Sequence, residues 1–349
     1  MEMRALGRTE VQLSSVGLGV MNFGAQTAED DAFRILDMAF DAGITLFDTA
    51  ENYPAPVAAA TQGRSEEILG RWIAARRLRD RVIVATKVAG PGNAAGDMSH
   101  IRGNKRRLDR ANIVQAVDDS LRRLDTDHID LYQVHWPERA VTTLGRSRYS
   151  CIPDSPALVP IEETLEALGE QVQAGKIRHI GVANETPWGV MRYLAAARER
   201  GLPRIVAIQN GYSLLDRYFE LGLAEIAMRE QVGLLAYSPL AGGLLTGKYV
   251  GAPAPIPGSR SSLSPGFSAR FTDKKMRATA AYTALARQHG LEPAAMALAF
   301  VRQQPFTTSV LMAASSPAQL ELNLRSLELD LSKELLKQIN AIHDDLPNP

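Results

Sequence analysis

The stretch Ile44-Thr45-Leu46-Phe47-Asp48-Thr49-Ala50-Glu51-Asn52-Tyr53 opens apolar and turns polar at Asp48. Residues 44–47 are too few for a helix and read as a short buried strand. The strand ends in a carboxylate, Asp48, and a tyrosine follows at position 53. In a chain that alternates strands and helices, a strand carrying polar groups at its C-terminal end opens onto a site.

Outward from this stretch the same unit recurs. Short runs rich in Val and Ile fall at 16–21, 45–48, 81–88, 129–135, 177–184, 205–210, 233–238 and 308–313. Helical periodicity fills the intervals at 29–42, 65–76, 109–124, 161–174, 187–200 and 220–230, with a pair at 273–289 and 293–304. Two further helices are expected at 317–326 and 332–343. Continuous apolar strands suit a parallel sheet covered on both faces. Eight of them predict an α/β fold, the closed (β/α)8 TIM barrel, rather than an open sheet. Residues 4–13 read as a small N-terminal β-hairpin around a glycine turn, capping one end. The expectation is a single domain over 1–349 with C-terminal helices against the barrel. Gly/Pro/Ser-rich stretches at 89–108, 136–160 and 241–269 each follow a strand. They are therefore expected as long loops on the catalytic face, forming lids and pocket walls.

Composition narrows the function classes. With 349 residues, 45% hydrophobic and 22% charged, the chain can bury a large core. Formal net charge is zero, so no global field favours nucleic acid or a membrane surface. The run Lys105-Arg106-Arg107 reads as a solvated loop. No apolar stretch approaches the roughly 20 residues that span a bilayer, and the first ten residues lack the apolar core of a signal peptide. Cys151 is the only cysteine, which rules out an intrachain disulfide and suits a reducing compartment. It reads as an incidental thiol. A cytoplasmic protein is the expectation.

Polar residues gather at the expected strand ends. Asp48 ends the second strand, Lys87 the third and His135 the fourth, with Tyr53 just past Asp48. Singly these have plainer roles: a turn cap, a surface lysine, a core histidine, a loop aromatic. On successive strand ends they point to acid–base chemistry. A tyrosine with its ordinary pKa near 10 is slow to release a proton at neutral pH. An ammonium beside it, held by a carboxylate, is expected to lower that pKa. His135 can hydrogen-bond a substrate oxygen. The set suits proton delivery to an oxygen that becomes negative, as in carbonyl reduction.

These residues also carry a family resemblance. Phe47 through Tyr53, Gly63-Arg64-Ser65-Glu66-Glu67-Ile68-Leu69-Gly70, Ala85-Thr86-Lys87, Gln133-Val134-His135, Gly175-Lys176-Ile177-Arg178 and Gly181-Val182-Ala183-Asn184-Glu185 resemble the signature set of the aldo-keto reductase superfamily. Tyr53-Pro54, Thr61-Gln62-Gly63, His135-Trp136-Pro137 and Ala297-Leu298-Ala299-Phe300-Val301-Arg302 are similar to its bacterial Tas-type members. The resemblance spans nearly the whole chain. It implies an NADP(H)-dependent carbonyl reductase with a small-molecule carbonyl substrate. Tyr53 would be the proton donor, Lys87 and Asp48 its tuning pair, and His135 the group that orients the carbonyl. An alternative within the same resemblance is a cofactor-bound regulatory or redox-sensing subunit with little turnover.

The cofactor residues are expected at the later strand ends. Asn184 and Gln209 can bind the nicotinamide carboxamide, and Tyr237 can stack on its ring. Gly242 to Lys248 fits the P-loop spacing G-x-x-x-x-G-K, but Tyr249 stands where a magnesium-binding Ser or Thr is required. The resemblance instead gives Ser238, Pro239, Leu240, Gly242 and Lys248 to the pyrophosphate. It gives Arg260, Ser315 and Gln319 to the adenosine 2′-phosphate, and Asn323 to the adenine. Ala183 and Ala313 depart from the Ser and Gly usual there. Gly17, Gly19 and Gly24 do not form a dinucleotide fingerprint, because Asn22 holds the position of its last glycine. Phe23, Trp136 and Tyr212 are expected to line the substrate pocket, with Trp188 a weaker candidate.

Overall fold

The computed structural model describes residues 1–91, 98–141, 149, 155, 157–252, 255–263 and 266–349. Its first two strands, β1 (Met3–Ala5) and β2 (Gln12–Ser14), form an antiparallel hairpin. The next eight are β3 (Val16–Gly19), β4 (Leu46–Asp48), β5 (Ile83–Val88), β6 (Ile129–Val134), β7 (Ile177–Ala183), β8 (Ile205–Gly211), β9 (Gly233–Tyr237) and β10 (Thr307–Met312). Each pairs in parallel with its neighbours, and β10 returns to β3, so the sheet is a closed barrel. The expected (β/α)8 barrel with its extra hairpin is the fold.

The helices are α1 (Glu29–Asp41), α2 (Arg64–Arg76), α3 (Arg110–Leu124), α4 (Ile161–Gln173), α5 (Pro187–Arg200), α6 (Leu223–Glu230), a single turn α7 (Arg260–Leu263), α8 (Asp273–Gln288), α9 (Pro293–Arg302), α10 (Pro317–Leu324) and α11 (Lys333–Asp345). Their starts follow local chemistry. The side chains of Asp109, Thr186, Thr272, Ser316 and Ser332 each accept a hydrogen bond from a first-turn amide. Pro187, Pro293 and Pro317 occupy first positions, where a missing N–H costs nothing. The helix expected over 220–230 is interrupted. A 3-10 turn at Tyr218–Leu221 ends at Gly222, whose extended backbone starts α6 afresh. A Cβ at Gly222 would lie 3.2 Å from Pro187.

Strand alternation divides the barrel interior into two tiers. The lower tier is apolar: Leu46, Ala85, Leu131, Ala207, Leu235 and Leu311 form one cluster with Leu6 and Leu13 of the hairpin. The hairpin lies across the strand starts. Ser14 N donates to Thr45 Oγ1, just before β4. Arg4 Nη1 donates to Thr307 O at the start of β10. Two residues further along five of these strands, on the same face, stand Asp48, Lys87, Gln133, Gln209 and Tyr237. The polar tier thus rests on an apolar floor. Outward-facing residues such as Phe47 pack on the helices; its ring lies 5.1 Å from that of Trp72. Among the described residues no helix is long and apolar enough to cross a membrane.

Candidate active site

Lys87 is fully buried, and its Nζ donates to Asp48 Oδ2 at 2.6 Å and to Thr49 O at 2.6 Å. The other carboxylate oxygen, Asp48 Oδ1, accepts from Gln209 Nε2 at 2.8 Å and Gln133 Nε2 at 3.2 Å. Lys87 Nζ lies 5.3 Å from the centre of the Tyr53 ring. The Tyr53 and His135 rings meet edge to face at 5.6 Å. The four residues expected together from three strand ends therefore are together.

The electrostatics differ from expectation at one point. Burial raises the Tyr53 pKa above its ordinary value, and the Asp48 charge pushes it further up; Arg260 opposes them. Lys87 does not lower it as anticipated. The physical reason is burial: desolvation of the phenol is the largest effect, and the Asp48 carboxylate acts on Tyr53 as an added negative charge. Tyr53 is thus held as a protonated phenol. Burial lowers the Lys87 pKa, against the pull of Asp48 in the other direction.

Burial, with the Lys87 charge adding to it, holds the His135 pKa well below 6.5. Its Nδ1 is within 3.1 Å of Asn52 Oδ1. A histidine that takes up a proton less readily when folded costs nothing above its unfolded pKa. The cost appears as pH falls below 6.5, where the unfolded chain binds the extra proton. Urea unfolding should therefore show wild type losing more stability from about pH 7 to about pH 5.5 than His135→Asn. Equal losses would remove His135 from the acid response.

The amide partners of the later strands can be assigned atom by atom. Asn184 Nδ2 donates to His135 O at 2.9 Å. A backbone carbonyl only accepts, so the nitrogen must face it. That leaves Asn184 Oδ1 for the Tyr237 hydroxyl, which donates to it at 2.6 Å. Asn184 adopts a left-handed backbone, φ 56°, stabilised by its neighbours: Glu185 N donates to Asn210 Oδ1, and Arg139 grips the Glu185 carboxylate. Gln209 Nε2 spends its hydrogens on Asp48 Oδ1 and, at 3.1 Å, on Gln133 Oε1. One N–H of Asn184 and the Oε1 of Gln209 are left over. A donor and an acceptor together complement a primary carboxamide, the head group of a nicotinamide.

The glycine-rich loop after β9 turns through positive φ at Ser238, Ala241, Gly242 and Gly243. A Cβ at Gly242 would lie 2.5 Å from the Phe267 ring, and one at Gly243 3.1 Å from Lys248 Nζ. Arg260 lies over the same Phe267 ring at 5.4 Å. Two cations therefore flank a close backbone turn, an arrangement suited to an anion. After β10, Ser315 donates through N and Oγ to Gln319 Oε1, and Asn323 Nδ2 donates to Ala313 O. Pro239 and Leu240 link the Tyr237 strand end to this loop.

Two pocket expectations are corrected. Phe23 is fully buried in the core, with no surface to offer a ligand. Tyr212 is buried as well: it stacks on Phe300 at 6.0 Å, and its hydroxyl donates to Glu220. Proximity to a strand end does not say which way a ring turns. Trp136 does stand at the cluster, stacked on His135 at 5.7 Å. Trp188 is exposed beneath the guanidinium of Arg139. Cys151 lies outside the described residues. Sequence reasoning passed over Asn52 and Gln133, yet a signal for Gln133 existed. It precedes His135 by two residues and so shares its face of the strand.

The aldo/keto reductase family model matches residues 15–344, and the chain belongs to that family. The family comprises oxidoreductases of aldehyde and ketone carbonyls that generally use NAD(P)H. Protein Tas of Escherichia coli strain K12 is 48% identical over 343 residues, covering 98% of both chains. An uncharacterized oxidoreductase of Bacillus subtilis, YrpG, is 35% identical over 98% of this chain and 96% of its own. L-Glyceraldehyde 3-phosphate reductase of E. coli strain K12 is 31% identical over 97% of this chain and 92% of its own.

Proposed function

We propose that this chain, working as one domain over 1–349, reduces an aldehyde or ketone to the alcohol with NADPH. The observation that carries this reading is the buried Asp48–Lys87 pair beside Tyr53 and His135 on one end of the barrel. The hydride is what bound NADPH supplies. Asn184 and Gln209 would hold the carboxamide by its oxygen and its NH2, and Tyr237 would face the ring. Gly242, Lys248 and the Ser238–Leu240 turn would take the pyrophosphate, with Arg260, Ser315 and Gln319 at the 2′-phosphate and Asn323 at the adenine.

The remaining steps belong to the protein. His135, neutral because buried, would orient the carbonyl oxygen as the Nε2–H tautomer, with the Asn52 amide turned so that its nitrogen donates to His135 Nδ1. Tyr53, kept protonated, gives its proton to that oxygen as negative charge develops there. Lys87 keeps a positive charge near the phenol oxygen, and Asp48 keeps Lys87 in place. Trp136 offers an apolar wall, favouring a carbonyl compound with an apolar body. The relatives named as reductases agree with this reaction class.

The test is a spectrophotometric panel of aliphatic, aromatic and phosphorylated aldehydes and ketones with NADPH and, separately, NADH. Oxidation of NADPH by at least one of them is expected, with NADH slower. A chain that binds NADPH but oxidises it with no member of the panel would favour a sensing subunit instead.

A further inference from the structure

We propose that Gln133 is a positioning residue that fixes which end of the Gln209 amide faces the cofactor; this rests on the reading that a nicotinamide dinucleotide binds here. Three bonds link Asp48, Gln133 and Gln209. Asp48 Oδ1 accepts from both amide nitrogens, at 3.2 and 2.8 Å, and Gln133 Oε1 accepts from Gln209 Nε2 at 3.1 Å. All three residues are buried.

The ring of bonds has one self-consistent assignment. Asp48 is ion-paired to Lys87 and only accepts. Turning the Gln133 amide would set its oxygen against Asp48 Oδ1 and its nitrogen against Gln209 Nε2, opposing like groups at both contacts. Turning Gln209 would set its oxygen against Asp48 Oδ1 and Gln133 Oε1. The Gln209 nitrogen is therefore held inward by two acceptors, and only its oxygen is left for a ligand. With Gln133 gone, one of the two acceptors goes too. The barrel makes space for this residue: in register, Lys87, Gln133 and Gly181 lie side by side. A Cβ at position 181 would lie 3.0 Å from Gln133 Cγ.

The consequence is chemical selectivity. An outward-facing oxygen recognises the NH2 of a nicotinamide and finds no partner in an acetyl group. The test measures dissociation constants of NADP+ and its 3-acetylpyridine analogue by quenching of tryptophan fluorescence. Wild type should prefer NADP+ on the order of tenfold, the worth of one buried hydrogen bond. Gln133→Met keeps the shape but leaves the Gln209 nitrogen on Asp48 Oδ1 alone, so the amide is held less firmly and the preference should fall to about a third of the wild-type value. If Gln133→Met does not fold, Gly181→Ala, which crowds Gln133 from outside the ligand-facing groups, should narrow the preference on its own.

A Gln133→Met preference equal to wild type, or an unaffected Gly181→Ala, overturns the assignment. Equal binding of both dinucleotides by wild type overturns it while leaving the proposed reaction standing. No binding of either overturns both.

Discussion

Tyr53→Phe should lower steady-state carbonyl reduction by about a thousandfold, within the range a positioned general acid contributes, while NADPH affinity stays within about threefold. The substitution removes one hydroxyl and keeps the ring. The edge contact with His135 and the position 5.3 Å from Lys87 Nζ can both persist. What is lost is the only proton that the arrangement holds ready on a phenol. His135 does not replace it, because burial keeps the imidazole neutral. The measurement pairs kcat for a substrate found in the panel with NADPH fluorescence titration. Turnover within tenfold of wild type would remove Tyr53 from the proton-delivery role. Loss of NADPH binding along with turnover would instead mean that the ring, not the hydroxyl, matters.

The second large effect is on stability as well as activity. Lys87→Met leaves Asp48 Oδ2 without its ammonium, deep under the site and 4% exposed. The two amides on Oδ1 remain, but they do not supply a charge. Removing one partner of a buried ion pair costs about 3–5 kcal/mol, and activity should fall at least as far as in Tyr53→Phe. The double variant Lys87→Met/Asp48→Asn carries no orphaned carboxylate. It should recover most of the stability and none of the turnover. Urea unfolding of the two variants reads the first claim, and steady-state assay the second. A single variant as stable as wild type would show that Asp48 is already neutralised by other means.

The fold was legible because its signal is repetitive and redundant. A short apolar run followed by a periodic helix occurs often enough that a shifted boundary, or the break at Gly222, does not change the count of strands. The Asp48, Tyr53, Lys87 and His135 cluster was legible for a related reason: strand ends on one barrel face converge whatever the helices do. Less was visible where the outcome depended on side-chain direction. Phe23 and Tyr212 sit near strand ends, but turn into the core. The Tyr53 pKa went the opposite way because burial decides it: the phenol is desolvated and Asp48 adds a negative charge beside it, neither of which residue spacing reveals. Gln133 and Asn52 look like ordinary neighbours of famous positions until the bonds to Asp48 and His135 are drawn.

The hairpin across the strand starts has a consequence for the traffic of protons. Leu6 and Leu13 close the floor together with Leu46, Ala85 and Leu131, all without exposed surface. Among the described residues that floor is apolar and without exposed surface, so it offers a proton no polar path at that end. On the proposed mechanism each reduction would spend the Tyr53 proton, and its replacement would have to arrive by the same mouth that admits the carbonyl compound. Reloading the acid and exchanging the substrate therefore share one doorway, and a ligand lingering there slows both.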